Sequence, residues 1–214
     1  ARLRSVPDPL RRLSEDWMTG VQEAESEGGT RVRVPLLGDA ALRNAGLVLA
    51  ALEELKARGL AFDMAAAVGG IARTSWPARF QIVLQGSRRL VLDGAHNDAA
   101  MRSFAATWRR SPFFVQDPLV VMGVLADKDW ERLASLAAPL SARFIATAPP
   151  SPRALPAGKL AEALRHHGAR DVRVEPDPSA AFAALRADRS AAGAVVGSFY
   201  LAGAALAGLQ EAFA

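Results

Sequence analysis

Hydrophobic and polar positions along the 214 residues fall into two regimes, and the change comes near residue 89. Beyond it, short apolar runs alternate with stretches whose apolar residues recur at helical spacing. "RLVLDG" leads to "NDAAMRSFAATWRR", "PLVVMGVL" to "DWERLASLAAPL", and "ARFIATAP" to "ALPAGKLAEALRHHG"; "DVRVEP" then leads to "PSAAFAALRAD" and "GAVVGSF" to "YLAGAALAGLQEAF". Five strand-then-helix pairs in succession predict an α/β, Rossmann-like, doubly wound and mostly parallel sheet with helices on both faces.

Before residue 89 the pattern is less regular. Residues 1–33 mix prolines and charges, close on Gly28-Gly29, and predict an irregular leading segment. "RVRVPLLG" alternates like a short strand ending at Gly38. Ala40 to Arg58 has helical spacing and stops at Gly59, and "DMAAAVGGIAR" reads as a second helix weakened by Gly69-Gly70. "SWPARFQIVLQGSRRLVLDG" then reads as a turn followed by two strands about Gly86-Ser87. These breaks divide the chain into segments 1–33, 34–82 and 83–214.

Composition narrows the chemistry. Half of the residues are hydrophobic and 22% are charged, enough for a sizeable core. There is no cysteine, which excludes disulfides, thiolate metal sites and cysteine nucleophiles, and fits a reducing cytoplasm. No apolar run approaches the roughly 20 residues of a membrane span. The net charge of +4 and pI near 10.3 come from scattered arginines without interleaved aromatics, a pattern that suits anionic small molecules better than nucleic acid.

In doubly wound sheets ligands bind at the carboxyl ends of the strands. Polar residues gather at those ends here: Asp93 and His96, then Gly123 to Asp129, Thr147 to Arg153, and Gly197 with Ser198. A strand-end aspartate can hold a ribose hydroxyl pair, and a histidine just beyond it can face a phosphate. Equally, Asp93 can cap the next helix and His96 can be an ordinary first-turn residue. His166 and His167 end a predicted helix just before Gly168, where a cation suits the helix dipole, and read as structural.

Four further pieces, taken in order with "DGAHN", carry a resemblance. "SWPARFQ" supplies Arg79, "GVLADKDW" supplies Asp127, Lys128 and Asp129, "SPRALP" supplies Arg153, and "VVGSFYLAG" supplies Ser198. Over residues 34–206 the chain resembles the folylpolyglutamate synthase and dihydrofolate synthase family of the Mur ligase superfamily, ATP-dependent enzymes that form amide bonds. The resemblance implies that 34–82 is the C-terminal part of a central ATPase-type domain and 83–214 a C-terminal Rossmann-like ligase domain.

It implies roles as well. Asp93 would contact the ATP ribose, His96 would lie near the terminal phosphate, and Arg79 would reach the nucleotide, so that His96 and Arg79 are the catalytic candidates. Asn44 would look towards the adenine, and Asn97 would join the nucleotide contacts. Asp127, Lys128, Asp129, Arg153 and Ser198 would line the glutamate or folate side. Partners would be ATP with Mg2+, folate or dihydropteroate, and glutamate, handled by a monomer through an acyl phosphate.

Departures from the family pattern are specific. No glycine-rich loop ending in glycine-lysine-serine or glycine-lysine-threonine occurs in the chain, so the expectation is that it is the C-terminal portion of a longer ligase and inactive alone. Ala40 and Ala41 replace a histidine-glutamine pair, Ala78 a glycine, and Asp98 a proline, which puts an extra carboxylate beside the expected phosphate position. A non-catalytic nucleotide- or folate-binding module, and a Mur-type ligase with another acceptor, are the alternatives.

Overall fold

The computed structural model describes residues 10–85, 87–115 and 117–211, with two compact units, 1–77 and 78–214. Residues 1–9 of the leading segment, Gly86 of the expected turn, and residues 212 and 213 of the expected last helix lie outside the described residues. None of the described helices is long and apolar enough to cross a membrane.

The first unit contains a three-stranded antiparallel sheet where the sequence predicted irregular chain. Strands β1 (Arg11–Asp16), β2 (Val21–Glu25) and β3 (Arg31–Val34) lie in that order, and only β3 was legible. The reason lies in the inward side chains: the buried positions of β2 are Gln22 and Ala24, one polar and one small, so no apolar alternation marks the strand. Gln22 is satisfied by donating to the carbonyls of Leu36 (2.6 Å) and Gly38 (3.0 Å), and its Oε1 accepts from Arg12 Nε at 3.2 Å. Arg12 also pairs with Asp39, the first residue of helix α1 (Asp39–Ala57). This polar knot fixes the start of α1 where Ala40 and Ala41 offer nothing polar. Leu42, Ala45 and Leu49 of α1, with Ile71 of helix α2 (Met64–Ile71), bury against Ala24, Val32 and Val34.

The second unit is the expected α/β sheet. Its six strands are β4 (Gln81–Gln85), β5 (Arg88–Asp93), β6 (Leu119–Met122), β7 (Arg143–Ala146), β8 (Asp171–Val174) and β9 (Ala192–Val196), in the order β4-β5-β9-β6-β7-β8. Only the β4–β5 pair is antiparallel. Each parallel strand is followed by a helix: α3 (Asp98–Arg110), α4 (Trp130–Ala137), α5 (Ala157–His166), α6 (Pro178–Ala187) and α7 (Phe199–Glu211). Continuous apolar runs such as "LVVM" and "AGAVV" form fully buried strands because both faces are covered. Leu90, Leu92, Leu119, Val121, Ile145 and Val195 pack with Phe182, Leu185, Leu201 and Ala205 of α6 and α7. The alternate residues face the other way. On that side α3, α4 and α5 pack side by side.

This order creates the crevice. The chain steps β5, β6, β7, β8 across the sheet and then returns to insert β9 between β5 and β6, so the right-handed return crossover puts α6 opposite α3 to α5, and α7 packs beside α6. After β9 the chain leaves towards one face, while its neighbours β5 and β6 send theirs to the other. The register brings Asp93, Val196 and Met122 level at the carboxyl edge.

Gly197, which follows β9, makes the exit turn with φ of 110°, and a Cβ there would sit 2.6 Å from the Gly123 carbonyl oxygen. Gly197→Ala therefore carries both backbone strain and a backbone clash, and should destabilise the fold by about 2 kcal/mol or more in urea unfolding. An unchanged midpoint and slope would contradict this account of the turn.

Candidate functional site

Three segments meet at the carboxyl edge beside β5 and β9: the turn Ala78–Phe80, the loop Asp93–Asn97, and the start of α7. Asp93 joins the first two. Its Oδ2 accepts the Phe80 N–H at 2.8 Å, and its Oδ1 accepts the Ala95 N–H at 2.8 Å. The Ala78 carbonyl accepts from Gly94 N at 2.9 Å, which continues the same union. Ala78 and Phe80 adopt left-handed φ values of 57° and 42°, so the turn needs outside support. Phe80 is buried beneath it, with ring centroids 5.7 Å from Phe104 and 6.3 Å from Trp108.

Asp93 is 8% exposed. Burial pushes its carboxyl up to about 6, against the opposing pull of the Phe80 and Ala95 N–H groups and of Arg79. The aspartate thus builds the site's walls in the first place. Each carboxylate oxygen still has a lone pair beyond the one it uses.

His96 leaves this loop half-buried, with Nδ1 2.9 Å from the Gly94 carbonyl. Its ring lies 5.3 Å from that of Phe199, tilted by 52°. Arg79 reaches the same ring from the turn, its Cζ 4.8 Å from the centroid. Arg79, Asp93 and His96 are thereby brought together. Phe199 holds a place among them that the sequence reading missed; it stood between the motif residues Ser198 and Tyr200 with no chemistry of its own to flag it.

A second polar group lies on the loops after β6 and β7. Arg153 Nη1 donates to Asp127 Oδ2 at 3.0 Å, and Lys128 Nζ is 3.5 Å from the same oxygen. The loops are tied by an isolated bridge between Leu125 and Ala154 and by Ala126 N donating to the Arg153 carbonyl at 2.8 Å. Two cations, Arg153 exposed and Lys128 half-buried, against one carboxylate leave a net positive patch.

Other candidates serve as helix caps. Asn97 Oδ1 accepts from Ala100 N at 2.8 Å at the start of α3, and Asp129 Oδ1 from Arg132 N at 3.2 Å at the start of α4. Ser198 is buried, and its Oγ accepts from Tyr200 N at 3.1 Å. Asn44 is exposed on α1, within the first unit. Asp98 does not stand as a bare carboxylate: it accepts from Arg132 Nε and Arg102 Nε, each at 2.7 Å, and these two bonds hold its carboxyl below the usual range. His166 and His167, with centroids 5.0 Å apart, close α5 before Gly168. Among the described residues, no group of three or more His, Asp or Glu side chains converges as a metal site would require.

A family model described as the Mur ligase, glutamate ligase domain matches residues 78–198. The folylpolyglutamate synthase of Lacticaseibacillus casei is 35% identical over 88 residues, 41% of this chain and 20% of that protein. The Mycobacterium tuberculosis folylpolyglutamate synthase solved with ADP and AMPPCP is 26% identical, with a TM-score of 0.76 over 93% of this chain and 47% of that one. That of Thermotoga maritima is 25% identical, with a TM-score of 0.74 over 95% of this chain and 46% of that one. The chain thus spans about half the length of these solved relatives. The family match covers more than half of the chain and runs from the Ala78 turn to Ser198, the segments that build the crevice: the chain belongs to the Mur ligase family through its glutamate ligase domain.

Proposed function

We propose that this chain supplies the C-terminal part of an ATP-dependent ligase that joins glutamate to a folate-type carboxylate. The observation that carries the reading is the convergence of Arg79 and His96, both within the stretch that matches the glutamate ligase domain, on the Phe199 ring at the carboxyl edge. The nucleotide complexes of the similar M. tuberculosis enzyme support ATP as co-substrate.

In this reading the substrate carboxylate attacks the terminal phosphorus of ATP and the bond to the ADP oxygen breaks, which leaves an acyl phosphate. The glutamate amine then attacks the acyl carbon, sheds a proton, and expels phosphate. Charge on the transferring group needs fixed donors more than covalent help. Arg79 supplies a guanidinium fork, and His96, whose Nδ1–H donates to the Gly94 carbonyl, turns Nε2 to the ligand, where the protonated ring donates an N–H to a phosphate oxygen. Asp93 holds the two loops that carry them, and its remaining lone pairs can accept a ribose hydroxyl. Lys128 and Arg153 meet the carboxylates of glutamate, with Asp127 fixing Arg153. Asn97, Asp129 and Ser198 act through the helix starts they cap.

Among the described residues, no cluster of His, Asp or Glu side chains fits a magnesium site. Nor does the sequence hold a glycine-rich phosphate loop, so turnover requires that loop from elsewhere in the ligase, and the 214 residues alone do not ligate. A divergent relative with weakened nucleotide binding is favoured by one observation, the absence of the polar pair at Ala40 and Ala41.

The test is ligation by the chain joined to its phosphate loop, assayed with ATP, glutamate and either dihydropteroate or tetrahydrofolate. His96→Ala should lower kcat by roughly 10²-fold or more, and Arg79→Gln comparably, with circular dichroism unchanged. Full activity per folded molecule in both variants would refute their roles, and no glutamate incorporation with either acceptor would refute the substrate class.

The buried Asp93 gives a pH signature of its own. Its folded-state value lies above the unfolded one, so its contribution to stability is full below about pH 4 and is lost as pH rises through about 6. Urea unfolding of wild type and Asp93→Asn should therefore diverge between pH 4 and 7, with wild type losing stability relative to the variant as pH rises. Parallel curves would contradict the burial argument.

A further inference from the structure

We propose that Phe199 is a positioning residue that sets the directions of both Arg79 and His96. The inference takes its functional consequence from the ligase reading; its geometry stands without it. Phe199 opens α7, where Ser198 fixes the first turn: Ser198 Oγ accepts from Tyr200 N, and the Ser198 carbonyl accepts from Ala202 N at 3.0 Å. The ring is thus delivered by β9 and α7, whereas Arg79 and His96 come from the two loops that Asp93 ties together.

Gly94 shows how closely the ring is held. A Cβ on Gly94 would overlap Cδ1 and Cε1 of Phe199 and lie 2.7 Å from Cγ. The ring therefore rests against bare backbone, and any side chain at position 94 would push it away. With the ring seated there, the Arg79 guanidinium stands over its face, within the 6 Å or so where the ring quadrupole attracts a cation. The tilted imidazole packs beside it and keeps its Nδ1 on the Gly94 carbonyl. Two polar side chains from different loops thus share one aromatic support, at a spacing set by that support.

Phe199 is 37% exposed, so most of the core does not depend on it. A leucine there keeps apolar bulk and removes the π face. A tyrosine keeps the face. That contrast separates aromatic support from simple packing.

The experiment reads histidine side-chain resonances in the 214-residue chain by NMR, with His96 assigned through His96→Gln. Phe199→Leu should move the His96 signals and leave those of His166 and His167 in place, an internal check that the unit is folded. Gly94→Ala should move them likewise by displacing the ring, and Phe199→Tyr should restore wild-type positions. In the loop-bearing ligase, Phe199→Leu should lower kcat roughly ten- to a hundredfold with little change in KM, and Phe199→Tyr should recover it. Unmoved His96 signals in both Phe199→Leu and Gly94→Ala would overturn the proposal. So would full ligation by Phe199→Leu where His96→Ala is inactive. If His96→Ala itself ligates normally, the ligase roles fail, while a displaced His96 signal in Phe199→Leu still supports the geometric part.

Discussion

A buried carboxylate shared by two chain segments organises the carboxyl edge of the second unit's sheet. Asp93 ends the strand β5 and spends one oxygen on the Phe80 N–H and the other on the Ala95 N–H. Without those bonds a charge so deeply buried would be costly, and without the charge two left-handed residues in the Ala78–Phe80 turn would lack their main polar tether. Phe80 anchors the same turn from below, against Phe104 and Trp108. The turn and the loop are consequently one body.

From this union follows a division of labour among the polar residues at the sheet edge. Asn97, Asp129 and Ser198 satisfy backbone N–H groups at helix starts and so place the helices. Arg79 and His96 share the Phe199 ring as a support, while Lys128 and Arg153 outnumber the single carboxylate they share. Both groups favour an anion. The inserted strand β9 is what joins them to one edge, since it carries Phe199 between the loops that follow β5 and β6.

Much of this was legible in the sequence, for reasons that differ by element. The βα alternation could be read because strands covered on both faces are continuous apolar runs, as in Leu119–Met122 and Ala192–Val196. The insertion of β9 between β5 and β6 could not, because nothing in "AGAVV" names its neighbours. Strand β2 was hidden by a buried glutamine whose partners, Leu36 and Gly38, lie far along the chain. The structural division falls at Pro77 and Ala78, ahead of the expected break after residue 82, because Asp93 draws the Arg79 turn into the second unit. Motif order brought Arg79, Asp93 and His96 forward, but Phe199 escaped it: its importance is a contact across the fold, visible in the sequence only as the glycine at position 94 that makes room for it.

The most direct measurement of the central claim is where a nucleotide lands. Backbone and side-chain NMR of the 214-residue chain, titrated with Mg·ATP, should perturb the Ala78–Phe80 turn, the Asp93–Asn97 loop and the start of α7 together. Shifts confined to other surfaces, such as the groove between α4 and α5 lined by Trp130, Lys159 and His166, would contradict the account.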